Sequence, residues 1–225
     1  MPEAFTLKPG EVCDLDKIAS RVDTDEYDKK SAYQKIAANA EEMALMARKL
    51  YAENRRSLLI VLQAMDAAGK DSTVRTVTRG MNPRSCQVSS FKKPSEEELD
   101  HDFLWRVHKV VPRRGNVGIF NRSHYEDVLV VRVHDLVPAE VWSSRYDQIN
   151  DFENRLYKNG TTIIKCYLHI SEDEQRERLQ ARIDNPDAHW KVNLQDLEER
   201  KLWSSYREAF NDAITKCNTE YAPWY

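Results

Sequence analysis

The sequence predicts an α/β domain built on a mostly parallel sheet covered on both faces. Short apolar, β-branched runs alternate with longer stretches of helical periodicity along the 225 residues. Those runs, Leu58–Leu62 and Thr161–His169 among them, are largely apolar instead of strictly alternating, as strands buried on both faces are. The first run also empties into a turn of small residues that opens at once into a helix, the order of an open parallel sheet.

Each element has its own justification. Residues 1–27 are polar and are expected to wander over the surface as an N-terminal extension of one domain spanning 28–225. From Asp28 to Glu53, Ile36, Ala40, Met43, Ala47 and Leu50 recur at helical spacing. The strand Leu58–Leu62 is followed by a helix from Ser72 to near Gly80, a C-cap, with Asn82-Pro83 as a stop. Gln87–Phe91 reads as a short strand. Ser95-Glu-Glu-Glu98 is a capping box opening a helix to about His108. Val117–Phe120 is a buried strand, with a helical turn near Tyr125. Val137-Pro-Ala139 begins a long helix through Trp142, Ile149, Phe152 and Leu156, closed at Gly160. The strand Thr161–His169 leads to a second capping box, Ser171 with Glu174. That box starts a charged helix through Arg182, which Asp184-Asn-Pro186 breaks. The last helix runs from about Leu194 to Cys217, and residues 171–200 form a helical excursion, a hinged cover.

Composition narrows the function classes. At 41% hydrophobic and 32% charged the chain is expected to be globular and soluble. No run approaches the length of a membrane span, and Met-Pro-Glu-Ala-Phe lacks a signal pattern, so a cytoplasmic protein with no membrane partner is expected. Cys13, Cys86, Cys166 and Cys217 are scattered, which fits a reducing compartment better than a disulfide or zinc framework. With a net charge of −3, any polyanion must be held by a local basic channel, and nothing points to a nucleic-acid partner.

The chemistry begins at Ala64-Met-Asp-Ala-Ala-Gly-Lys70. Strand, Gly-Lys turn and helix in that order build a phosphate cradle. Backbone N–H groups of Ala67, Ala68 and Gly69 face the anion, Lys70 adds a full charge, and Asp71 and Ser72 open the helix. The loop is irregular: Ala64 stands at the first glycine position and Asp71 at the Ser/Thr position that normally ligates magnesium. An acid inside an anion site costs energy unless a cation bridges it to phosphate, so Asp66 is expected to hold Mg2+, with Mn2+ as a substitute.

Two further strand ends carry polar residues that can converge with it. Phe91-Lys-Lys-Pro94 offers Lys92 and Lys93. Phe120-Asn-Arg-Ser-His-Tyr-Glu-Asp127 places Asn121 where a metal-holding carboxylate is usual, Arg122 where charge on a transferring phosphoryl group would be neutralised, and Glu126 and Asp127 one turn later. A solvated, dipole-favoured pair at a helix start is an equally good reading of those acids. On the cover, Arg178 and Arg182 lie four apart and repel unless an anion sits between them, a phosphate clamp with Lys191 nearby. Pairing with Glu172, Glu174 and Glu177 is the plainer alternative.

These segments, with Leu168-His-Ile-Ser-Glu-Asp-Glu-Gln175, Asp184-Asn-Pro-Asp-Ala-His-Trp-Lys191, Trp203-Ser-Ser-Tyr-Arg-Glu-Ala209 and Ala222-Pro-Trp224, resemble the polyphosphate kinase 2 family over about residues 30–225. The resemblance implies a three-layer α/β/α P-loop kinase-like domain with a helical lid. It implies magnesium-dependent phosphoryl transfer between inorganic polyphosphate and an adenine, or else guanine, nucleotide, in a homodimer or homotetramer. Asp66, Lys70 and Arg122 match positions used for metal binding and charge neutralisation, Arg178 matches a lid arginine, and Lys92 matches a polyphosphate-holding position. Many members carry Asp where this chain has Asn121 and Asn where it has Glu126, and similar proteins continue beyond Tyr225. The exchange at 121 and 126 looks like the third class of the family, whose members phosphorylate both AMP and ADP. It leaves Asp127 as the favoured second metal ligand, with Glu126 nearer the nucleotide phosphate. An ATP-dependent nucleoside-monophosphate kinase shares these features, and a non-enzymatic nucleotide-binding switch shares the cradle without needing the lid arginines.

Overall fold

In the computed structural model, which describes residues 5–21 and 28–225, the strands β1 (Ser57–Gln63), β2 (Cys86–Ser90), β3 (Val117–Asn121) and β4 (Thr161–Tyr167) form one parallel sheet in the order β2-β3-β1-β4. The helices are α1 (Lys29–Glu53), α2 (Lys70–Val77), α3 (Glu96–Leu99), α4 (Trp105–His108), α5 (Val130–Val133), α6 (Ala139–Lys158), α7 (Glu172–Asp184), α8 (Leu194–Lys201) and α9 (Trp203–Lys216). Alternation along β1 produces three layers. Leu59 and Val61 pack with Ile149 and Phe152 of α6 and Phe210 and Ala213 of α9, whereas Ile60 and Leu62 pack with Ala47 of α1 and Val74 and Val77 of α2.

Leu62 pairs with Asn121, so β1 and β3 end level. From β1 the chain crosses β3 to reach β2, and from β3 it crosses β1 to reach β4. The connections leave in opposite directions, which opens a crevice at the carboxyl ends of these two strands.

Several expectations need correction. The helix foreseen from Ser95 to His108 is two short ones. The capping box at Ser95 and Glu98 forms, but the Asp102 carboxylate accepts from the Leu104 N–H at 3.0 Å and turns the chain before α4 begins. The final helix is interrupted at Leu202, which separates α8 from α9. The second capping box is half made: Ser171 accepts from the Glu174 N–H, while the Glu174 carboxylate pairs with Arg178 and Arg21. The N-terminal segment does not wander where it is described. Its Cys13 and Leu15 N–H groups donate to Thr215 Oγ1 and Asn211 Oδ1 on α9, both at 2.9 Å, and both side chains are buried. Residues 1–4 and 22–27 of that expectation lie outside the described residues. The final residues pair along β4, with the Tyr225 N–H on Lys165 O and the Tyr167 N–H on Tyr225 O, covering a sheet edge.

Beneath β3 lies a buried polar pin. Lys165 of β4 and Glu153 of α6, both fully buried, are paired at 2.6 Å. Lys165 also donates to Tyr125 Oη and to Cys217 O, and Glu153 accepts from the Tyr125 hydroxyl and from His124 Nε2. Burial works against the ionised Glu153, yet Lys165 and His124 hold its carboxyl below the ordinary value. The pin fastens the turn after β3 to β4 and α6. Removing one partner of a buried pair leaves an uncompensated charge, so Lys165→Met should lower unfolding free energy by about 3–5 kcal/mol. Denaturant titration measures it, and adding Glu153→Gln should return part of the loss. A midpoint equal to wild type in Lys165→Met would mean that the pair holds nothing.

Candidate active site

The loop from β1 to α2 is shaped by two residues in the left-handed region, Ala67 at φ 60° and Gly69 at φ 100°. Gly69 is the N-cap of α2 and contributes no side-chain cap, so the first-turn N–H groups of the helix are left to a ligand. A side chain there would be strained by the backbone and would crowd Ser72 Oγ at 3.2 Å. Lys70 is folded back over the loop, its Nζ donating to Ala64 O at 2.8 Å and Met65 O at 3.2 Å. Burial pulls its pKa below the ordinary lysine value, and Asp66 opposes that pull.

Arg122 stands level with this loop because its N–H extends the β1–β3 ladder onto Leu62 O at 3.1 Å. Its guanidinium lies 2.8 Å from Asp66 Oδ1 and 3.5 Å from Glu126 Oε2. Burial disfavours its charge, but Glu126 and Asp66 together hold its pKa above the usual value. Gln63, the polar end of β1, donates to Ser123 Oγ and to Glu126 Oε1, both at 3.1 Å. Burial raises the Glu126 pKa above the ordinary glutamate value against the pull of Arg122 and Lys70. Asp66, Arg122 and Glu126 line a cavity with Ala64, Met65, Leu129, Val130, Gln175, Glu199, Tyr206 and Phe210 that has about 40 Å³ of free room, enough for a few waters.

The cover closes over it. Arg178 donates from NH1 to Ala67 O at 3.3 Å and from Nε to Glu174 Oε1 at 2.7 Å, and Gln175 donates to Asp66 O at 2.9 Å. Tyr206 donates to Glu199 Oε2 at 2.8 Å, and His134 Nε2 lies 3.0 Å from the same oxygen, which ties α8 to the core.

The sequence-predicted residues therefore divide. Asp66, Lys70, Arg122, Glu126 and Arg178 gather with Ala67, Ala68 and Gly69 around the loop. Asn121 is at the rim, its amide donating to Asp71 Oδ1 at 2.7 Å, and Ser72 Oγ donates back to Gly69 O. Asp127 lies apart from this group. It is 6% exposed and held by Arg106 at 3.3 Å and Arg145 at 3.5 Å, and it is not among the cavity residues. The carboxylate that faces Asp66 across Arg122 is Glu126. The Arg178–Arg182 clamp is also split, since Arg182 pairs with Asp196 on α8 at 3.4 Å. Lys92 and Lys93 are exposed on the loop after β2, and Lys191 lies over the exposed Trp190 ring; none of them lines the cavity. Gln63, Gln175, Glu199 and Tyr206 were not foreseen. Gln63 alone carried a signal, a polar residue closing an apolar strand.

Among the described residues no three His, Cys, Asp or Glu side chains gather to hold a metal. Asp66 and Glu126 offer the hard oxygen donors that suit Mg2+, an ion commonly held by one or two carboxylates, phosphate oxygens and water. The donor set therefore fits magnesium shared with a phosphorylated substrate.

A family model described as Polyphosphate kinase 2 matches residues 26–225. An AMP/ADP-polyphosphate phosphotransferase of Meiothermus ruber is 54% identical over 197 residues, 88% of this chain and 74% of the relative. An ADP-polyphosphate phosphotransferase of Rhodopseudomonas palustris is 44% identical over 233 residues, 98% of this chain and 81% of the relative. The crystal structure of polyphosphate kinase 2 from Arthrobacter aurescens superposes with a TM-score of 0.92 at 44% identity, covering 99% of this chain and 80% of that one.

The raised Glu126 pKa has a consequence for stability. A folded-state value above the unfolded one means that the folded protein binds more protons between the two. Stability from this group is full below the ordinary glutamate value and is lost as pH rises through the folded value. Glu126→Gln should flatten that decline as pH rises above the ordinary glutamate value, read as unfolding free energy against pH. Superimposable wild-type and variant curves would contradict the assignment.

Proposed function

The chain belongs to the polyphosphate kinase 2 family, and from that premise we infer that it transfers phosphoryl groups between inorganic polyphosphate and AMP or ADP, with Mg2+ as cofactor. The observation that carries the reading is Arg122 flanked by Asp66 and Glu126 at the level ends of adjacent strands, beside a loop that carries Lys70. In the transfer a terminal phosphate oxygen of the nucleotide attacks the end phosphorus of the polymer. The bridging P–O bond breaks, its electron pair leaves on the shortened chain, and no covalent enzyme intermediate is required.

Positioning and charge stabilisation supply the catalysis. The α2 N–H groups hold phosphate oxygens at the cradle. Lys70 exchanges the Ala64 and Met65 carbonyls for a phosphoryl oxygen. Arg122 neutralises the transferring group, and Arg178 reaches the same space from α7. Asp66 and Glu126 would hold the metal, which when bound adds positive charge shared between donor and acceptor phosphates. Guanine nucleotides as acceptors and Mn2+ as the ion are alternatives within the same reading. A cytoplasmic setting accords with Cys13, Cys86, Cys166 and Cys217 all being free thiols. No helix among the described residues is long and apolar enough to cross a membrane.

Long-chain polyphosphate as sole donor should convert AMP to ADP and then ATP. Turnover that instead requires ATP as donor would return the chain to the nucleoside-monophosphate kinases, and binding without turnover would make it a switch. Lys70→Met and Asp66→Asn should each lower kcat by about 10²–10³-fold with unchanged circular dichroism. Wild-type kcat in either would remove that residue from the mechanism. Glu126→Asn should slow transfer to AMP more than transfer to ADP, and an unaltered ratio of the two rates would refute a role for Glu126 beside the nucleotide phosphate.

A further inference from the structure

The phosphate-binding loop turns on a residue that should resist its conformation. Ala67 has φ 60°, a region in which its Cβ is crowded and which glycine would occupy freely. A strained residue persists where its surroundings over-determine it. Here both peptide carbonyls around the strained residue are held by one helix. Gln175 Nε2 donates to Asp66 O at 2.9 Å, and Arg178 NH1 donates to Ala67 O at 3.3 Å. Gln175 and Arg178 are three apart on α7 and so share a face of it. Gln175 is 3% exposed, and its Oε1 accepts from Arg200 NH1 of α8 at 2.8 Å. The amide orientation is fixed by these neighbours, because only N–H can meet the Asp66 carbonyl and only oxygen can meet the guanidinium.

We propose that Gln175 is a positioning residue that holds Ala67 in its left-handed conformation, so that α7 is a fixed brace of the phosphate loop instead of a lid that swings clear. The Asp66 carbonyl belongs to the same residue as the carboxylate that faces Arg122, so an unheld turn at Ala67 would re-aim both that carboxylate and the N–H groups at the head of α2. An aliphatic side chain cannot do this, and a glutamate would set a carboxylate oxygen against the Asp66 carbonyl while still accepting from Arg200. A structural brace alone would be indifferent to what stands at 67; a brace against strain is not.

The inference rests on the phosphotransferase reading, and two readouts separate their failures. Gln175→Met should fold and lose about 10-fold or more in kcat with polyphosphate and ADP, while amide hydrogen exchange speeds up across residues 66–70. Adding Ala67→Gly, which removes the strain, should return at least about threefold of that loss and should change kcat less in the wild-type background than in the variant. An equal loss with and without Ala67→Gly, or loop exchange unchanged by Gln175→Met, overturns the proposal. If Gln175→Met does not fold, Gln175→Glu carries the same comparison, and failure of both to fold makes Gln175 a core residue and also overturns it. Absence of transfer by the wild-type chain would count against the function, with hydrogen exchange still deciding the brace.

Discussion

The site depends on one electrostatic balance, a single guanidinium, Arg122, set between Asp66 and Glu126 in partial burial. Burial works against the charges here; Glu126 and Asp66 keep the Arg122 guanidinium charged, while the pull of Arg122 and Lys70 offsets only part of the burial that raises the Glu126 pKa. The balance exists because β1 and β3 are parallel neighbours whose last residues are in register. A shift by one residue would turn Gln63 away from Glu126 and would move the Arg122 N–H off the Leu62 carbonyl. The buried Lys165–Glu153 pin serves the same end from below, since Tyr125 and His124, which it grips, lie in the turn that presents Glu126.

That turn also explains why two consecutive acids have different fates. A 3₁₀ turn advances each side chain by about a third of a revolution, so Glu126 and Asp127 point to different sides of it. One meets Arg122 and Gln63 at the cavity; the other meets Arg106 and Arg145 in the interior. Glu126 takes its arginine from four residues back in the same turn, whereas Asp127 takes Arg106 and Arg145 from elsewhere in the chain, pairs that sequence alone held no means of assigning.

What could be read in the sequence was local. The strands, the Gly-Lys turn and the long helices follow from apolar period and caps, and they appear within a residue or two of their expected ends. The fold of the cradle, with Asp66, Lys70 and Arg122 together, was legible because strand order and carboxyl-end loops constrain it. The short α5 was not, because Val130, Val131 and Val133 are β-branched and argue against the helix that packing imposes. Nor were the contacts of Gln175, whose carbonyl partner on Asp66 is distant in the chain. Cys13 and Leu15 did carry a signal, apolar residues in a polar stretch, and they are the ones that dock on α9.

The cover itself has two mechanical halves. Its first helix, α7, reaches the loop through buried Gln175 and through Arg178, on carbonyls that have few alternative donors. Its second, α8, is joined to α7 by Arg182–Asp196 and to the core by His134–Glu199 and Tyr206–Glu199, contacts between partly exposed side chains that water can replace. Ion pairs in such settings contribute little net free energy. The cavity that Gln175 of α7 and Glu199 of α8 border has room for a few waters. The chain breaks between α7 and α8 at Asn185-Pro186 and again at Leu202, yet Arg200 on Gln175 and Arg182 on Asp196 tie the two helices to each other.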